Sequence, residues 1–236
     1  MQFNEAQIQA IQHNTGPCMV IAGPGSGKTT VLTHRVRYLI ERYGVNPSDI
    51  LVITFTKAAA EQMKLKFKGL SEGRNSAVTF GTFHAVFFTI LKAAYNYSAH
   101  CIIKPQIQHE FVKDQMCRLE LEYDDENEAV AGVLSEISCV KGEDVNIDEY
   151  ESRCIPPQSF RIMYRAYDDM LVRKHLIDFD DMIVQCRELL MQREDYRRAW
   201  QNKYKYILID EFQDINKAQF DVVRICLLYT SDAADE

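Results

Sequence analysis

A chain of 236 residues, 47% hydrophobic and 26% charged, has an ordinary globular composition, with room for one large domain or two smaller ones. No apolar run approaches the ~20 residues that cross a bilayer. The polar start MQFNEAQIQAIQ is unlike a signal peptide, and seven scattered cysteines without a CxxC pair disfavour disulfide or metal frameworks, so a reducing cytoplasmic setting is expected. The net charge of −7 hides a division. Glu110 to Glu151 holds fourteen acidic against three basic residues, whereas Lys57, Lys64, Lys66, Lys68 and Arg74 outnumber Glu61 and Glu72.

In chain order, the first apolar run is CMVIA (18–22), with a helix predicted over Lys28–Tyr43. The turn GVNPSD (44–49) leads to ILVITF (50–55) and a helix over Lys57–Leu70; AVTF (77–80) then precedes a helix over Phe83–Tyr97. Each short run is nearly continuous apolar sequence, as expected for strands buried on both faces of a parallel sheet. Between about 95 and 180 the strand signals fade. There Phe160, Met163, Tyr164, Tyr167, Leu171 and Val172 recur at helical spacing after Pro156-Pro157, which predicts a core-facing stripe. YILID (206–210) is a fourth predicted strand, with a helix from Asp214 onward. The alternation, interrupted once, predicts an α/β fold: a parallel sheet formed by 1–94 and 181–225, with a mostly helical subdomain inserted at 95–180.

Two motifs carry chemistry. The stretch MVIAGPGSGKTT runs from predicted strand through a glycine-rich loop into a helix, and AxxxxGKT (Ala22 to Thr29) is a Walker A pattern with Ala in place of the first Gly. Ala22, Gly23, Pro24, Gly25, Ser26 and Gly27 would curl the backbone so that its N–H groups cradle phosphates at the helix N-terminus. Lys28 would reach the β- and γ-phosphates of ATP, Thr29 would ligate Mg²⁺, and Thr30 lies beside them. The second motif, YILIDEFQD, ends an apolar strand in Asp210 and Glu211, at the sheet edge where ligands bind in such folds. Asp210 would hold Mg²⁺ and Glu211 would deprotonate the attacking water. Together they predict a P-loop NTPase.

DEFQD (210–214), AGPGSGKTT, NEAQIQAI (4–11), TFTKAAAEQM (54–63) and GTFHAVFFTIL (81–91) resemble the UvrD/Rep/PcrA group of superfamily 1 DNA helicases, in the family's order and approximate spacing. LIDFDDMI (176–183) resembles a further stretch of these enzymes. The resemblance implies that Gln7 pairs with adenine and that Gln213 senses the γ-phosphate. It also implies that Thr54, Phe55, Thr56, Lys57, Thr82, Phe83, His84 and Phe179 line a single-stranded DNA path. On residue type alone the phenylalanines read as core. Two positions depart from many relatives: TFTKAAA stands for TFTNKAA, and Thr30 stands where several carry arginine.

The resemblance further implies the N-terminal RecA-like domain (1A) and helical insertion (1B) of a 3′→5′ helicase that acts on single-stranded and duplex DNA in repair or replication. A second RecA-like domain, beyond this chain, would supply arginines for hydrolysis, so the chain alone is expected to turn ATP over slowly. The alternatives are a helicase–nuclease subunit or an ATP/DNA-binding module with little turnover. Residues 226–236, CLLYTSDAADE, are expected to be non-native, because they translate a transposase-type sequencing adapter.

Overall fold

The computed structural model describes residues 2–71 and 77–227. Glu72 and Arg74 from the basic stretch, and 228–236 of the expected tail, lie outside the described residues. In chain order the elements are α1 (Glu5–Gln12), α2 (Lys28–Tyr43), β1 (Ile50–Thr54), α3 (Lys57–Leu70), β2 (Thr79–Thr82), α4 (Phe83–Tyr95), α5 (Pro105–Arg118), α6 (Glu126–Glu143), α7 (Pro157–Lys174), α8 (Phe179–Gln192), α9 (Glu194–Lys203), β3 (Tyr206–Ile209) and α10 (Lys217–Leu227). The described residues form two compact units, one of those within 1–86, 193–215 and 224–227, the other of 87–192 and 216–223. The division falls within α4 and α10, so the helical unit is wider than the expected 95–180. That unit includes all of α8, whose Met182, Ile183, Cys186, Leu189 and Leu190 are buried.

The first unit is α/β. Its sheet has the order β2-β1-β3 with both pairings parallel, and Val52 of β1 sits opposite Phe80 on one side and Leu208 on the other. Being central explains why β1 is wholly apolar until Thr54: all five of its residues are buried. Ile50 and Val52 pack with Val36 and Leu39 of α2, Met63 and Phe67 of α3, Val78 and Leu208. Each such side chain contributes about 1.5–3 kcal/mol on full burial. The helix ends are set locally. Gly44 closes α2 at φ 65, a left-handed geometry costly for a residue with a Cβ. The Thr56 hydroxyl accepts from Ala59 N at 3.1 Å to open α3. Asp49 and Lys205 tie the starts of β1 and β3 through a 2.9 Å backbone hydrogen bond and a 2.9 Å ion pair.

CMVIA is not a strand. Among the described residues nothing pairs with 18–22, and Met19 and Ile21 are 70% and 92% exposed. An apolar run becomes a strand only where a neighbouring chain offers a hydrogen-bonding edge, and periodicity does not report that edge.

The second unit is helical. Val112, Met116, Val130, Val133, Ile137, Phe160, Met163, Tyr167 and Leu171 from α5, α6 and α7 share one core. Four members of the predicted stripe are therefore buried and Tyr164 packs against them, but Val172 is 73% exposed. At 100° per residue Val172 has turned past the apolar face. Inside this unit Lys141 of α6 is buried against three carboxylates, 3.1 Å from Asp168, 2.9 Å from Asp178 and 2.7 Å from Asp181. Asp178 and Asp181 also cap the start of α8 reciprocally, with backbone-to-carboxylate bonds of 2.7 and 3.3 Å. Among the described residues no helix is long and apolar enough to cross a membrane.

Candidate active site

The glycine loop enters α2 through two left-handed residues, Gly25 at φ 74 and Gly27 at φ 83. Gly27 is the N-cap of α2 and carries no side chain to cap it, and the first turn has no acidic residue. The first N–H groups of the helix thus keep their donors for an anion, with the positive end of the helix behind them. Gly27 O accepts from both Thr30 N and Val31 N at 2.9 Å, and Ser26 N donates to Gly23 O at 3.3 Å. The buried Thr33 hydroxyl, one turn further on, donates to Thr29 O and Thr30 O. Ala22 to Gly27 are otherwise mostly exposed, whereas Lys28, Thr29 and Thr30 are half-buried.

The acidic strand end lies beside this loop, within the same unit. Lys28 Nζ is 3.5 Å from Ala22 O and 3.6 Å from Glu211 Oε2. Asp210 continues the ladder by donating its N–H to Ile53 O at 2.9 Å. Glu211 turns left-handed, φ 53 and ψ 48, a backbone state that costs a residue with a Cβ roughly 1–2 kcal/mol. Its carboxylate accepts from Gln213 Nε2 at 2.8 Å, and the same Nε2 lies 3.2 Å from Asp214. The two neighbouring acids are pushed apart. Burial, and then the charge of Glu211, raise the Asp210 pKa; the Gln213 hydrogen bond, and then Lys28, lower that of Glu211. The donor set suits a phosphate–Mg²⁺ group: a hydroxyl at Thr29, a carboxylate at Asp210, a cation at Lys28 and an uncapped helix end.

Gln7 reaches the same loop from α1. It forms a capping box with Asn4, in which Asn4 N donates to Gln7 Oε1 at 3.0 Å and Gln7 N donates to Asn4 Oδ1 at 2.8 Å. Its Nε2 donates to Ser26 O at 3.0 Å. The Asn-x-x-Gln spacing signals the box in sequence, but the bond to the loop has no such signal.

Of the residues expected along a DNA path, the structure brings seven to the ends of β1 and β2 and the starts of α3 and α4. Phe55 is 39% exposed, Thr56 and Lys57 are exposed, and Thr82 accepts from Ala85 N at 3.2 Å. Two do not fit. Thr54 is buried and its hydroxyl donates to Thr56 O at 3.0 Å. Phe83 is 2% exposed, its ring meeting that of Phe55 edge-on at 6.0 Å, so it presents no face to a base. Apolar packing has claimed it. His84 is half-buried, and burial lowers its pKa, which leaves a neutral imidazole near pH 7. Phe179 belongs to the other unit, where it begins α8 and is 52% exposed.

Residues 3–232 match the family model described as the UvrD/REP helicase N-terminal domain. The chain is 34% identical over 233 residues to the ATP-dependent DNA helicase Rep of Escherichia coli, covering 95% of this chain and 34% of that protein. It is 33% identical over 235 residues to the putative ATP-dependent DNA helicase YjcD of Bacillus subtilis, covering 94% and 30%. It is 30% identical over 237 residues to a probable DNA helicase II homolog of Mycoplasma capricolum, covering 97% and 33%. The chain thus spans about a third of the length of these curated relatives.

Proposed function

The chain belongs to the UvrD/REP helicase N-terminal domain family, and on that premise we propose that it is the ATP-binding part of a DNA helicase motor. One observation carries the proposal: Lys28 of the glycine loop and Glu211 of the DEFQD segment stand 3.6 Å apart in one compact unit. A triphosphate seated on the α2 N-terminus would come within reach of both. The loop N–H groups and Lys28 would hold its phosphates, and Thr29 and Asp210 would hold Mg²⁺, which supplies neutralising charge at the phosphate oxygens. Glu211 would take a proton from a water as its oxygen bonds to the γ-phosphorus. The bond from that phosphorus to the bridging oxygen then breaks, leaving ADP and inorganic phosphate. Gln213, already bonded to Glu211, would orient it.

Thr56, Lys57, Thr82 and Phe55 would contact single-stranded DNA through phosphate hydrogen bonds and one stacking face. The whole protein would step 3′→5′ in the cytoplasm and open duplex DNA during repair or replication. A second RecA-like domain in the same protein would complete its hydrolytic site. The chain alone would bind MgATP and hydrolyse it slowly. Calorimetric titration with MgATP tests the reading: the 236-residue chain should bind it and Lys28→Ala should lose at least tenfold in affinity. A chain that does not bind, or a variant that binds equally well, would overturn the assignment.

A further inference from the structure

We infer that Arg35 is a positioning residue for the nucleotide site: it pins α1 to α2, so that Gln7 braces the glycine loop at the Ser26 carbonyl. This rests on the nucleotide reading above. The helix α1 has only eight residues, a length at which a helix alone is marginal in water. Its last carbonyls have no partner within the helix. Arg35 Nη1 donates to two of them, Ala10 O at 3.1 Å and the C-cap His13 O. A guanidinium there also answers the negative end of the helix. Tyr43 Oη adds a third tie, to Gln12 O at 3.0 Å, and the rings of Phe3 and His34 meet edge-on at 4.8 Å.

At its other end, the capping box with Asn4 orients the Gln7 carboxamide, whose Nε2 reaches Ser26 O at 3.0 Å. Ser26 immediately precedes Gly27, the left-handed N-cap of α2. Lys28 and Arg35 both belong to α2, seven residues or nearly two turns apart on one face. That single helix therefore presents a cation to the phosphates and a second cation to the element that steadies the phosphate loop. A carboxamide has two N–H donors and two acceptor sites, so bracing leaves Gln7 one of each for a base edge.

The test is a double-mutant cycle read as MgATP affinity by calorimetry on the 236-residue chain, at a temperature where circular-dichroism melts show each variant folded. Arg35→Ala and Gln7→Ala should each weaken binding roughly five- to tenfold, the worth of one hydrogen bond. The double variant should be no weaker than the worse single one, because both break the same brace. Arg35→Lys, which keeps the charge but loses the planar guanidinium that aims Nη1 at both carbonyls, should fall between, and it carries the test if Arg35→Ala does not fold. Unchanged affinity in folded Arg35 variants would overturn the inference, as would additive losses, which would mark Arg35 as merely structural. Failure of the parent chain to bind MgATP, or indifference to Lys28→Ala, would instead overturn the nucleotide reading.

Discussion

Glu211 reaches Lys28 across 3.6 Å while accepting a 2.8 Å hydrogen bond from Gln213. Both ion-pair partners are about a third exposed or more, so water screens the attraction and its value lies in charge placement rather than stability. Glu211→Gln should accordingly leave the melting temperature unchanged. MgATP should bind at least as tightly, since one negative charge near the phosphates is gone, while any slow hydrolysis disappears. Calorimetry and a phosphate-release assay check both halves. Weaker binding would count against Glu211 facing the phosphates.

Gly27 and Gly44, at opposite ends of α2, make a matched pair at φ 83 and φ 65. A Cβ at Gly27 would meet Gln7 Nε2 at an ordinary 3.7 Å, and one at Gly44 would meet nothing within 4 Å. Alanine at either site should therefore cost about 1 kcal/mol of stability through the backbone alone. Only Gly27→Ala should also weaken MgATP binding, as denaturant melts paired with titrations would show.

Phe55 and Phe83 touch, but only one of them is open to solvent. Phe83→Ala should destabilise the chain by roughly 3–5 kcal/mol. Phe55→Ala should cost much less stability and instead reduce affinity for a fluorescent single-stranded oligonucleotide by about 1–3 kcal/mol. Equal stability losses with unchanged oligonucleotide binding would remove Phe55 from the DNA path.

Lys141 gives the helical unit a pH signature. Burial alone would lower its pKa, but Asp178, Asp181 and Asp168 together raise it, so it stays charged. Lys141→Ala would strand these carboxylates and should cost about 3–5 kcal/mol. Burial, then the Asp178 charge, push the Asp181 carboxyl up to about 6, and burial also raises neighbouring Asp180. Between the unfolded value near 4 and the folded value near 6, only the folded chain holds this proton. Stability from this group therefore rises as pH falls from 7 toward 5, and the penalty is complete above that window. Denaturation midpoints at pH 5 and 7.5 should show the rise, and Asp181→Asn should flatten it.

Much of this was legible where the determinants are local. The bounds of α2 and α3 agree with the pattern because Gly27, Gly44 and Thr56 write the helix ends into the sequence. The pairing of the glycine loop with DEFQD was legible as motif chemistry. What failed to show depends on distant partners. CMVIA reads as a strand yet pairs with no described residue; at Phe83, by contrast, residue type alone points to the core and only the resemblance to a DNA contact, and the ring is buried. Lys141 looks like any surface lysine until α7, the start of α8 and Asp178 just before it bring their carboxylates to it. Arg35 likewise acquires its role only when α1 folds back on α2.

The stretch Met19-Val20-Ile21, which pairs with no other described residue, bears on how the chain behaves in concentrated solution. It is apolar, uncharged and exposed, which makes it a template on which a second chain could add a strand. Pro17 and Pro24 flank it, and neither has an N–H with which to lengthen such a ladder. Association through this segment is therefore limited to a few rungs. It would appear as reversible, concentration-dependent clustering in light scattering, and not as fibre growth.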